Sequence, residues 1–147
     1  MKTFGKEQLL VLGCFSVLFS LSGCGETELE CGSLESRNSV VKIIADDNNN
    51  RLVNYAANNS SAVAAMMGDA NVEAEKLAIL EKAKRGAVYK LDDTIRMKSR
   101  DRAAHAVNCS GSLDVTVADT TAQKEVEFKV EQTTDGKMLV SVDPFLF

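Results

Sequence analysis

At 147 residues the chain is long enough for one domain, or for one domain behind a targeting segment. An apolar fraction of 45% and a charged fraction of 26% exclude wholesale disorder, and 17 basic against 21 acidic side chains, net −4, exclude the basic surplus of an ordinary nucleic-acid binder. One His, one Pro and no Trp leave little of the usual catalytic or metal-ligating material.

Lys2 and Lys6 precede an uncharged, mostly apolar stretch from Leu9 to Leu21. It is too short to cross a hydrocarbon core of about 30 Å, which takes about 20 helical residues. A positive start, a short apolar centre and small residues at its end are the pattern of a secretory signal peptide. The stretch runs into Leu21-Ser22-Gly23-Cys24, and this order closely resembles the lipobox of bacterial lipoprotein precursors. The resemblance implies a signal peptide over residues 1–23, diacylglycerol on the Cys24 thiol, cleavage just before it, and an acyl chain such as palmitate on the new amino group. Two or three acyl chains anchor stably where one holds only marginally. Gly25, not Asp, follows the Cys, which by similarity to enterobacterial sorting implies the outer membrane, facing the periplasm. The rival reading is an ordinary signal peptide that contains a Cys. The resemblance covers residues 1–24 and names a processing class, not an activity.

Cleavage there removes 23 residues, among them Lys2, Lys6 and Glu7, so 124 remain and the net charge moves from −4 to −5. Phe4, Phe15 and Phe19 leave as well, and a core short of rings gains from a covalent staple. With Cys14 discarded and Cys24 acylated, Cys31 and Cys109 are left as a pair, and export to an oxidising compartment makes a disulfide their default. Two free thiols or a shared metal is the alternative. One His and two Cys make a poor zinc set, since structural sites usually need four ligands.

Residues 24–32 read as a lipidated tether, and residues 33–147 as a single domain. Leu34, Val40, Val41, Ile43, Ile44 and Leu52 recur at helical spacing and predict a helix from about Ser36 to Tyr55. The Asp46–Asn50 run within it invites a break, because Asp and Asn compete with helical hydrogen bonds. Residues 57–70 read as a linker with one helical turn around Ala62–Met67. A second helix follows over 72–85, with Asp69 or Asn71 as cap, Lys84 and Arg85 in the last turn and Gly86 as stop.

Beyond Gly86 the period changes to two. Tyr89, Leu91, Ile95 and Met97 share a face of a strand over Ala87–Lys98 that Asp93 interrupts. His105, Val107, Cys109, Leu113, Val115 and Val117 share a face of the next, where Gly111 invites a bulge. Val126, Phe128 and Val130 alternate with charges, Asp135-Gly136 marks a hairpin, and Met138, Val140 and Val142 continue the inward face before Pro144 ends it. Helices followed by hairpin-linked strands predict an α+β domain, with one or two N-terminal helices on a curved antiparallel sheet of three to four strands, wet on its other face.

The chemistry-bearing candidates are few. Asp46, Asn48 and Asn50 fall at positions 1, 3 and 5 of a calcium loop, but Arg51 stands where Gly is needed and Ala57 where a bidentate Glu is needed. His105 lacks a motif around it and reads as a strand residue near a sheet edge. Asp92 and Asp93 are adjacent, so in a strand they point to opposite faces; Asp93 either breaks the strand or reaches a cation such as Arg96 or Arg100. Lys90, Arg96, Lys98, Arg100 and Arg102 form a basic cluster, in which Arg96, Lys98 and Arg100 share parity and would form one ridge. That ridge reads either as a charged face protecting an edge strand or as a binding surface for an acidic partner or an anionic envelope polymer. No phosphate-binding loop, nucleophile elbow or zinc-protease motif occurs.

No enzymatic activity and no cofactor is therefore expected, nor a nucleic-acid partner. The expected function is that of a lipid-anchored envelope lipoprotein that binds another envelope protein in an accessory or assembly role. The alternatives are an exclusion or immunity lipoprotein of a phage or plasmid, and a cell-wall hydrolase or its inhibitor. Gene neighbourhood separates the first two, and turnover assays on wall substrates address the third.

Overall fold

The computed structural model describes residues 28–47 and 50–143. The expected signal peptide, Cys24, Asn48, Asn49 and Pro144 lie outside the described residues. The fold is α+β, and the described residues form four helices ahead of a curled antiparallel sheet.

Serine and asparagine caps set the helix boundaries. Helix α1 (Leu34–Asp46) starts where the Ser33 side chain accepts from the Ser36 amide at 3.1 Å. It ends at Asp47, whose backbone is extended. Helix α2 (Arg51–Asn59) starts four residues later, with Asn50 Oδ1 accepting from the amides of Leu52 and Val53 at 2.8 and 3.4 Å. The long helix expected over Ser36–Tyr55 is thus two, divided within the acidic, Asn-rich run. Asn50 acts as a cap.

Where a linker with one helical turn around Ala62–Met67 was expected, Ser60 closes α2 and its hydroxyl caps a full helix α3 (Ser61–Gly68), accepting from the Val63 amide at 3.1 Å. Helix α4 (Glu73–Arg85) has Glu73 and Glu75 in the first turn and Lys82, Lys84 and Arg85 in the last, as the helix dipole favours. Neither Asp69 nor Asn71 caps it. Val72 holds the N-cap position without a side-chain bond, and Asp69 closes α3 instead.

The sheet is built around strand β3 (Ala106–Val117). Strand β4 (Thr120–Gln132) pairs with one edge of β3 along its whole length, and strand β5 (Met138–Val142) follows beyond β4. The other edge of β3 is shared by strands β1 (Val88–Leu91) and β2 (Arg96–Asp101), so the expected interrupted strand is a broken edge strand. Register between β3 and β4 runs unbroken past Gly111. The irregularity lies instead in β2, opposite Asn108 and Cys109, where register shifts between Met97 and Ser99 and leaves Lys98 as the extra residue.

Gly111 has another task. A Cβ there would lie 3.2 Å from Leu91 Cδ1 and 3.4 Å from Ile95 Cγ1, the residues bordering the edge break. A side-chain-free position lets both lie over the central strand.

Val107, Cys109, Leu113, Val115 and Val117 of β3 and Val126, Phe128 and Val130 of β4 form the buried inner face. Helix α2 packs against β3 and β4, while α1 touches both β1 and β5 and so spans the open side of the curl. Two contacts fasten it there: Arg37 Nη2 donates to the Leu91 carbonyl at 3.0 Å, and the Ser36 hydroxyl lies 3.5 Å from Met138 Sδ. Helix α4 is outermost and buries no residue fully. Tyr89 looks inward, where burial and the Asp47 carboxylate push its hydroxyl above the usual tyrosine range.

Candidate functional site

Cys31 and Cys109 are joined in a disulfide, with Cα atoms 5.8 Å apart and both residues buried. The bridge fixes the segment before α1 to the inner face of β3. Glu28 and Leu29 are held against the fold, because Arg100 pairs with Glu28 and also donates to the Leu29 carbonyl at 3.4 Å.

The bulge at Lys98 decides the fate of the basic ridge. Arg96 faces Ser110 across the ladder, and on the far side of the bulge Arg100 faces Val107. Residues opposite one another share a face. Arg96 therefore stands on the wet outer face, whereas Arg100 has crossed to the inner face beside the N-terminal segment. Lys98 reaches the outer face, where it pairs with Glu127. One extra residue has reversed the parity on which a single ridge depended.

Each of the three cations has a glutamate beside it. Arg96 Nη2 lies 3.3 Å from both carboxylate oxygens of Glu125, Lys98 pairs with Glu127, and Arg100 with Glu28. Glu125 and Glu127 are outward residues of β4, so the cations of β2 reach across β3 to meet them. The outer face continues polar, with Asn108 donating to Ser99 at 2.9 Å, Gln123 to Asp114 at 2.9 Å, and a Thr116–Thr121 hydroxyl pair at 2.8 Å. Exposed pairs of this kind contribute about 0–1 kcal/mol each, so they set the surface pattern more than the stability.

Asp93 breaks the edge strand, and its cation is neither Arg96 nor Arg100. Arg37 of α1 binds it at 2.5 Å. Helical position alone gave Arg37 no role, since it reads there as an ordinary solvent-facing side chain. Asp92 makes a local turn instead: the Thr94 amide donates to its carboxylate at 3.3 Å and, with the Thr94 hydroxyl, holds its carboxyl below the usual range.

His105 lies in the turn between β2 and β3, not in a strand, with φ 45 and an exposed side chain. With Glu28, Leu29, Arg100, Arg102 and Gln132 it borders an open cleft of about 460 Å³ at that end of the sheet. Among the described residues, no group of three or more His, Cys, Asp or Glu stands together to hold a metal ion, and no helix is long and apolar enough to cross a membrane.

The opposite end of the sheet holds a feature that sequence reasoning missed. Ala118 and Asp119 form the two-residue turn between β3 and β4, and the Asp119 carboxylate accepts from the hydroxyls of Ser60 and Ser61 and, at 3.4 Å, from the Ala62 amide. Those hydroxyls, Ser60 foremost, lower its carboxyl to about 2. The only local signal was an Asp in a turn, which names no partner.

No protein-family model, curated protein or solved structure matches the chain.

Proposed function

We propose that the protein is a lipid-anchored bacterial envelope lipoprotein, held by Cys24 in the outer membrane toward the periplasm, that works by binding another envelope protein in an accessory or assembly role. One observation carries the reading. Leu21-Ser22-Gly23-Cys24 stands at the end of an uncharged apolar stretch that Lys2 and Lys6 precede. The Cys31–Cys109 bridge supports it, since such bonds persist in oxidising compartments and are rare in reducing ones.

For the partner we assign the outer face of the sheet, where Arg96 and Lys98 stand beside Glu125 and Glu127. Alternating charge selects a partner by pattern and steers its approach more than it adds affinity. A protein surface of matching, mixed charge suits it better than a purely acidic polymer, which Glu125 and Glu127 would repel.

Palmitate labelling tests the anchor: the wild-type protein takes up label and Cys24→Ala takes up none. Label retained by Cys24→Ala would defeat the lipoprotein reading. Cross-linking in the native membrane tests the surface. Reversing Arg96 and Lys98 together to Glu should cut capture of the cross-linked partner several-fold, and unchanged capture would remove this face from the proposal.

A further inference from the structure

The lipid-anchor reading, on which this inference rests, combines with the fastening of Glu28 and Leu29 to Arg100 to limit how the domain can stand on its membrane. Cys24 and Glu28 are four residues apart, and an extended chain covers about 14 Å over that interval at 3.3–3.6 Å per residue. Beyond Glu28 no slack remains. The Glu28–Arg100 pair, the Leu29 carbonyl contact and the Cys31–Cys109 bond hold that segment against the fold. The strand β3 it is fastened to is much longer, roughly 36 Å from Ala106 to Val117 at about 3.3 Å per residue.

The attachment lies at one end of that length. Arg100 pairs with Val107, near the start of β3, and the β2–β3 turn over residues 102–105 follows directly. The β4–β5 turn over residues 133–137 lies at the same end, where the Gln132 amide donates to the His105 carbonyl at 2.9 Å. The N-terminus of α1 is there too, since Ser36 reaches Met138. The Ala118–Asp119 turn is at the far end.

We propose that this near end, formed by the β2–β3 and β4–β5 turns and the start of α1, rests on the headgroups of the leaflet that holds the Cys24 acyl chains, and that the Ala118–Asp119 end points away. The near end offers what a headgroup layer accepts. Leu34, 74% exposed, is the most exposed large apolar side chain described, and Arg102 forms no ion pair among the described residues. Lying flat on the outer face would instead press Lys90, Asp114, Gln123 and Lys129 against lipid, with only Val88 and Leu139 as exposed large apolar side chains to bury in return. The upright posture leaves the Arg96–Lys98 face open along its length.

The chain contains no Trp, so single Trp probes report without background. Lipidated protein carrying Ala103→Trp in the near turn, or Thr121→Trp beside the far turn, is reconstituted into vesicles of phosphatidylethanolamine and phosphatidylglycerol that include a headgroup spin-labelled lipid. Quenching of the Ala103→Trp signal should be at least twofold greater than that of Thr121→Trp. Equal quenching of the two, or none of either, in protein that floats with the vesicles overturns the posture and leaves the anchor standing. Protein that fails to float defeats the anchor, and this inference with it. If either variant has lost its fold by circular dichroism, Thr134→Trp and Ala64→Trp take the same two positions.

Discussion

Ser60 and Asp119, 59 residues apart in the chain, meet through a hydrogen bond of 2.5 Å from the serine hydroxyl to the aspartate carboxylate. The same hydroxyl accepts from the Val63 amide and so caps α3, while the carboxylate, at the positive end of that helix, ties it to the β3–β4 turn. Helical layer and sheet are joined here by polar contacts, at the end remote from the disulfide.

A pH dependence follows from the sign of the Asp119 shift. Its folded carboxyl, lowered from 3.8 to about 2, binds a proton less readily than in the unfolded chain. Its contribution is therefore complete above pH 3.8 and is lost as pH falls toward about 2. Urea melts of the parent and of Asp119→Asn should converge over that acid range. A stability gap that persists unchanged at its acid end would exclude the carboxylate as the source.

Ala118 has φ 52, a left-handed backbone that costs an L-residue with a Cβ about 1–2 kcal/mol. Glycine removes that strain and gives back about 0.5–1 kcal/mol through its freer unfolded chain. Ala118→Gly should therefore stabilise the protein by about 0.5–1 kcal/mol in chemical denaturation. A lowered denaturation midpoint would contradict the strain argument.

The disulfide spans 78 residues, and loop entropy assigns such a closure roughly 4–5 kcal/mol. Whole domains are stable by about 5–15 kcal/mol, so the bridge is a large share of the total. Reductant should shift the mobility of the purified mature protein on a denaturing gel and lower its urea midpoint sharply. A protein indifferent to reductant in both assays would not contain the bond.

Gly111 and Leu91 are coupled through space that a side chain would fill. Gly111→Val should cost about 1–3 kcal/mol by overpacking. Leu91→Ala in the same chain should cost less than it does alone, because it vacates the volume the valine needs. Additive losses in the double mutant would show that the two positions do not compete.

Much of the sheet was legible residue by residue. Val126, Phe128 and Val130 alternate with charges in the sequence and are buried in the structure, and Asp135-Gly136 turns the hairpin with Gly136 at φ 81. Helix α4 was equally plain from its charge gradient and terminal glycine. Helix α3 was legible only as one turn around Ala62–Met67, since Ser, Ala, Met and Gly at residues 61–68 carry little periodic signal and only Val63 is buried. It exists as a separate helix because Ser60 can cap it while closing α2.

The local code settled whatever depends on neighbours along the chain: strand faces and helix stops; the pairing of Cys31 with Cys109 was expected from the reading that discards Cys14 and acylates Cys24. It could not settle the surface chemistry of β2. Parity along a strand survives only until an extra residue enters, and the bulge at Lys98 arises from pairing with β3, which propensity does not encode. That single shift sent Arg100 inward to Glu28 while Arg96 and Lys98 stayed outside with Glu125 and Glu127. Arg37 found Asp93, and Ser60 found Asp119, for the same reason: long-range partners are chosen by packing, after the elements that carry them have formed.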